Sequence, residues 1–84
     1  MIVLFLDKYE RRRKVKEVST LQEGYQAIYE FLNKYHYKVS YTRMWQEENE
    51  IWIDVGSHTE FFIIECENTN VAERSLKAWR EKNQ

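Results

Sequence analysis

The residues of this chain best suited to chemistry are few. Ser57, His58 and Cys66 offer a hydroxyl, an imidazole and a thiol, and Asp54 and Glu60 are carboxylates on either side of one short loop. A nucleophilic hydrolase needs Ser or Cys within hydrogen-bond reach of His, with a third group to orient the imidazole. Ser57 and His58 are neighbours in sequence, which points their side chains apart, and Cys66 closes an apolar run. The spacing therefore predicts a loop histidine and a buried structural cysteine. Asp54 and Glu60 could approach each other across a hairpin as an acid/base pair. A small sheet domain offers little depth in which to desolvate them, and without burial neither pKa moves usefully. His36, His58 and Cys66 form no pair at the spacings of zinc ligands, and Gly24 and Gly56 each stand alone, so there is no phosphate-cradling loop. The expectation is a chain without catalysis, metal or cofactor.

The elements that must position these residues are marked by changes of hydrophobic period. Residues 2–9 read as a strand and 13–18 as a second, joined by a polar turn around Glu10 to Arg12. At Ser19-Thr20 the period changes: either residue can N-cap, with Gln22 or Glu23 completing a capping box. Leu21, Tyr25, Ile28, Leu32 and Tyr35 form a helical stripe that should end near Lys34 to His36. From Tyr37 the period becomes two, with Val39, Tyr41, Arg43 and Trp45 facing one way and Ser40, Thr42, Met44 and Gln46 the other. After the turn Glu47-Glu48-Asn49-Glu50, Ile51, Ile53 and Val55 alternate with Trp52 and Asp54 in a fourth strand that stops at Gly56. Glu60 to Cys66 returns as a fifth strand, apolar enough to be central. Asn68, Thr69 or Asn70 caps a last helix with the stripe Ala72, Leu76, Trp79, expected to fray after Trp79.

The order ββαβββα predicts an α+β fold: a two-layer sandwich in which a mainly antiparallel sheet of about five strands carries both helices on one face. Leu21, Ile28, Leu32, Ile53, Ile63, Leu76 and Trp79 are its expected core. The 84 residues form one domain, 1–84, with no linker, repeat or low-complexity stretch. At 43% hydrophobic and 32% charged, the chain is too apolar for disorder and too charged for a membrane span. Met1 to Leu6 is too short for a signal h-region, and one cysteine cannot form an internal disulfide, which fits a reducing, cytoplasmic setting.

Two segments are candidates for binding. Residues 1–46 carry nine Lys/Arg against five acids, whereas 47–84 carry four against nine, and 47–67 holds seven acids without a Lys or Arg. An acidic meander built from Glu47, Glu48, Glu50, Asp54 and Glu60, with Trp52 as an exposed anchor, would attract a basic protein surface. The second candidate is the basic turn Arg11-Arg12-Arg13-Lys14 beside the aromatics Tyr37, Tyr41, Trp45, Trp52, Phe61 and Phe62, a combination used by RNA-binding sheets.

From Ser19 onward the order αβββα resembles the double-stranded-RNA-binding domain, and Gly56-Ser57-His58 is similar to its Gly-Pro-x-His loop. Here that loop joins the second and third strands of the meander instead of the first and second, and Asn-Val-Ala-Glu-Arg stands where the family has a lysine cluster. The segment Trp52-Ile53-Asp54-Val55-Gly56-Ser57-His58-Thr59-Glu60-Phe61-Phe62, preceded by Arg43-Met44-Trp45, resembles a stretch in small proteins encoded by phages and prophages of Gram-positive bacteria. That resemblance implies a compact accessory protein acting in an infected host cytoplasm. The function expected there is non-enzymatic inhibition of a host protein with a basic surface, such as a CRISPR effector nuclease whose nucleic-acid channel is cationic. The alternative is a small RNA/DNA-binding or regulatory phage protein.

Overall fold

The structure is a computed structural model that describes residues 1–39, 41–57 and 59–83. Its elements run β1 (Ile2–Leu6), β2 (Arg12–Glu17), α1 (Leu21–Lys34), β3 (Arg43–Glu47), β4 (Glu50–Asp54), β5 (Phe61–Glu65) and α2 (Thr69–Lys82). The strands form one sheet in the order β2-β1-β5-β4-β3, and every neighbouring pair is antiparallel. The expected α+β order is thus observed, with β5 at the centre. Among the described residues no helix is long and apolar enough to cross a membrane.

Local chemistry sets the element ends. β1 stops at Leu6 instead of reaching residue 9, because the Asp7 carboxylate accepts the backbone N–H groups of Tyr9 (2.9 Å) and Arg11 (3.0 Å) and folds the chain into a turn, with Glu10 at φ 64°. Thr20 caps α1: its Oγ1 accepts the Glu23 N–H at 3.1 Å, while the Glu23 carboxylate reaches back to the Ser19 N–H at 3.2 Å. At the other end His36 takes φ 58°, its N–H bonds Asn33 O, and Tyr37 N–H bonds Leu32 O, the paired bonds of a Schellman stop. α2 is capped by Asn68, whose Oδ1 accepts the Val71 N–H. It runs on to Lys82 instead of fraying at Trp79, with Arg80 and Lys82 at the carbonyl end where the helix dipole favours cations.

One strand begins later than its pattern suggests. The two-residue period starts at Tyr37, yet β3 starts at Arg43, and Ser40 lies outside the described residues. The ladder explains this: Arg43 pairs with Asp54, the last residue of β4, so residues before 43 have no strand to pair with. Alternation without a partner does not make a strand.

Both helices lie on the face presented by Val3, Ile51, Ile53, Phe62 and Ile64, which join Leu21, Ile28, Leu32, Ala72 and Leu76 in one buried cluster. Gly24 lets α1 come close to that face, since a Cβ there would sit 2.7 Å from Ile64 Cδ1. Trp79 is half-buried against Tyr25, with ring centroids 4.6 Å apart, and so seals the edge of the core instead of filling it.

Leu32 is 2% exposed within this cluster. Leu32→Ala should lower unfolding free energy by about 2–5 kcal/mol through the cavity it leaves, measured by denaturant melts. A loss under about 0.5 kcal/mol would contradict the packing described.

Candidate binding face

With both helices on one side, the other side of the sheet is finished by the sheet's own side chains. Strand register places Leu4, Ile63, Trp52 and Trp45 in one row across it, with Leu6 and Phe61 in the next. Ile63 is fully buried although it lies outside the helix-side cluster, so its cover comes from this face. Trp45 and Trp52 are direct cross-strand partners, 6.2 Å apart between ring centroids and 25° from parallel. Phe61 stands 6.2 Å from Trp45 and 5.9 Å from Trp52. The three rings form an apolar platform, each half-buried.

Charged groups hold the platform in place. Trp45 Nε1 donates to Glu47 at 2.9 Å and Trp52 Nε1 to Glu50 at 3.2 Å, so both indole N–H groups are satisfied within their own strands. Glu17, Ile2, Glu65, Glu50 and Glu47 share one row of the ladder, which gives the face an acidic border. Arg12 lies on the edge strand β2, separated from β4 by β1 and β5 in the strand order. Its guanidinium pairs with Glu50 at 2.5 Å and lies 5.9 Å from the centre of the Trp52 ring.

This arrangement redistributes the residues marked out by sequence. Glu47, Glu48, Glu50 and Trp52 come together at the β3–β4 turn. Asp54 and Glu60 lie at the opposite end of the strands, with Asp54 roughly 13 Å along β4 from Glu50 at the usual rise per residue. Asp54 is buried: Arg43 Nη2 donates to it at 2.7 Å, Gly56 N–H at 2.9 Å and Tyr41 Oη at 3.4 Å. Glu60 accepts instead from Tyr37 Oη at 3.3 Å. The two carboxylates therefore have separate partners, and His58 lies outside the described residues.

The basic turn is largely neutralised from within. Arg11 and Arg13 both pair with the buried Asp7, at 3.1 and 3.7 Å, Arg12 pairs with Glu50, and Lys14 pairs with Glu17. Each of the four cations already faces a carboxylate.

Sequence reasoning placed Trp45 and Phe61 only among the aromatics beside the basic turn; it did not join them with Trp52 at the acidic turn or see the aliphatic row beneath them. Their signal was the lack of polar alternation in Ile2–Leu6 and Phe61–Glu65, strands apolar on both faces in a fold with helices on only one. Cys66 is buried, and burial pushes its thiol pKa up, which favours the unreactive protonated form. Among the described residues no three metal-ligating side chains gather into a site.

No protein-family model, curated protein or solved structure matches the chain. What the face can do follows from its geometry: an aromatic platform with an acidic border and one bridging arginine is suited to contact.

The two buried aspartates make stability depend on pH. The Arg11 backbone N–H, followed by the Tyr9 N–H and the Arg11 side chain, holds the Asp7 carboxyl below the ordinary range against the effect of burial. For Asp54 burial acts upward, but Arg43, the Gly56 N–H and Tyr41 outweigh it, again lowering the pKa. A depressed folded-state pKa gives stability that is complete above the unfolded value of about 3.9 and lost as pH falls through the folded one. Thermal melts should therefore shift little from pH 7 to about pH 5 and then fall steeply below about pH 4. Asp7→Asn should be less stable at pH 7 and flatten the acid limb; an unchanged acid limb would contradict the role given to Asp7.

Proposed function

We propose that the chain is a non-enzymatic binding protein whose working surface is the helix-free sheet face, and that its partner is a host protein with a cationic surface. The observation that carries this reading is the Trp45–Trp52–Phe61 platform. Rigid aromatic rings grouped at the centre of a surface and ringed by charge are how protein interfaces concentrate binding energy. Glu47 and Glu48 at the platform's border have no cation paired to them among the described residues, so their field favours a basic partner. The same acidic border disfavours nucleic acid, whose phosphates dominate affinity, and the cations of the basic turn are engaged internally.

The resemblance of residues 52–62 to phage and prophage proteins supplies the setting. In an infected cell, a cationic surface of this kind is found in the nucleic-acid channel of a CRISPR effector nuclease, and a bound acidic, aromatic face would block it. The function proposed is inhibition by occupancy of such a channel.

The test begins with capture of the partner from host lysate after nuclease treatment, followed by binding kinetics of variants that melt as folded proteins. Trp52→Ala should raise the dissociation rate at least about tenfold, because a lost anchor appears mainly in the off-rate. Glu47→Lys combined with Glu48→Lys should slow association, with a difference that shrinks as salt is added. Loss of the partner on nuclease treatment, or parent-like kinetics in both variants, would overturn the proposal.

A further inference from the structure

The two edges of the sheet are built differently. β2, at one edge, reads Arg12-Arg13-Lys14-Val15-Lys16-Glu17 and shifts register opposite Val3 and Leu4. Basic side chains and bulges are the devices by which edge strands avoid pairing with another chain. β3, at the other edge, is Arg43-Met44-Trp45-Gln46-Glu47, without lysine, proline or a register shift.

The direction of the β3 backbone groups follows from its hairpin. β3 and β4 are joined by the two residues Glu48 and Asn49, with Glu48 at φ 55°, and such a loop closes on a hydrogen-bonded pair, here Glu47 and Glu50. Alternation then turns the backbone groups of Arg43, Trp45 and Glu47 toward β4 and those of Met44 and Gln46 outward. Arg80 agrees with this assignment, because its Nη2 donates to the outward Met44 carbonyl at 3.2 Å. A carbonyl has two lone pairs, so that contact leaves Met44 able to accept a second bond.

We propose that β3 is a dimerisation edge, through which two copies of the chain pair antiparallel about a two-fold axis at Trp45. The β3 edge is self-complementary. Centring the pairing on Trp45 sets Arg43 of each copy opposite Glu47 of the other, so opposite charges meet on both sides of the axis; Arg43 holds Asp54 through Nη2, and the guanidinium's other N–H groups are the ones that face Glu47. It also sets Met44 opposite Gln46, the two residues whose backbone groups point outward and can exchange hydrogen bonds. Moving the axis to Met44 or Gln46 keeps the backbone bonds possible but loses both Arg43–Glu47 pairings. Trp45 becomes a non-hydrogen-bonded pair with its own symmetry mate, the pair type in which side chains approach most closely. The Trp45–Trp52 stack of one copy then continues into that of the other, and the two helix-free faces join into one platform. This assembly rests on the edge alone; in it Glu47 meets Arg43 of the other copy, and Glu48 is the border carboxylate at the turn that the pairing leaves for a cationic partner.

The experiment is sedimentation equilibrium of the whole chain from micromolar to millimolar concentration, combined with amide hydrogen exchange read by NMR at both extremes. The expected result is a monomer–dimer equilibrium in which the Met44 and Gln46 amides gain about tenfold protection at high concentration, while the Trp45 amide, bonded to β4, is protected at both. Gln46→Pro removes an outward N–H without touching a β3–β4 bond, and Glu47→Arg replaces both opposite-charge pairings with like charges. Each should weaken the dimer about tenfold. A chain that stays monomeric across the range overturns the proposal. So does a dimer in which Met44 and Gln46 exchange as they do in the monomer, or one that both folded variants form as readily as the parent. The exchange measurement uses the parent alone, so it decides the question even if a variant fails to fold.

Discussion

A sheet with helices on only one face must protect its other face with its own side chains, and most of what is distinctive in this protein follows from that constraint. β5 is apolar on both sides, so Ile63 needs cover where no helix exists. Trp52, its cross-strand neighbour, is part of that cover, and Trp45 and Phe61 complete a layer of rings over the strands. The layer is half-buried, neither a second core nor an ordinary wet surface. Glu47 and Glu50 take the indole N–H groups, which removes the need for water at those positions and limits ring rotation. Arg12 ties the far edge of the sheet to the same layer through Glu50. Rings held this way lose little conformational freedom when a partner arrives, which is the condition under which aromatic contact gives affinity.

Electrostatics in this fold are decided by pairing across the sheet, and runs of charge along the chain are a poor guide to them. The basic run Arg11 to Lys14 and the acidic run Glu47 to Glu67 suggest two opposed surfaces, but the fold joins them at Arg12 and Glu50 and gives the other cations of the turn to Asp7 and Glu17. Asp7 draws two arginines and Asp54 one onto a buried carboxylate, which turns formal charge into turn geometry. Among the described residues, the carboxylates of Glu47 and Glu48 at the β3–β4 turn, next to the rings, are in none of these ion pairs.

Much of the architecture was legible in the sequence because it rests on local rules. The change of period at Ser19, the caps at Thr20 and Asn68 and the meander turns each depend on a few neighbouring residues. The start of β3 was not legible, since it depends on where β4 ends and not on the alternation of residues 37–42. The stop of α1 was only coarsely visible, because a histidine occupies the left-handed position that glycine usually marks. Gly24 carried more meaning than its position in a helical stripe implied: it marks the closest approach of α1 to Ile64. At the site, the place of Trp52 beside Glu50 followed from strand alternation, whereas the contact between Arg12 and Glu50 joins residues 38 apart in sequence and needed the sheet order. The split of Asp54 and Glu60 from the other acids likewise came from strand direction, which a list of charges does not contain.

The account's central claim is that the helix-free face is where this protein meets its partner, and hydroxyl-radical footprinting of the chain, free and bound to the captured partner, tests it most directly. Aromatic side chains on both sides of the sheet report in one experiment, because Trp45, Trp52 and Phe61 lie on the helix-free face while Tyr25, Tyr29 and Trp79 belong to the helix layer. The account predicts that binding lowers oxidation of Trp45, Trp52 and Phe61 and leaves Tyr25, Tyr29 and Trp79 unchanged. Protection of the helix-layer aromatics, with Trp45 and Trp52 oxidised as fast as in the free chain, would contradict it.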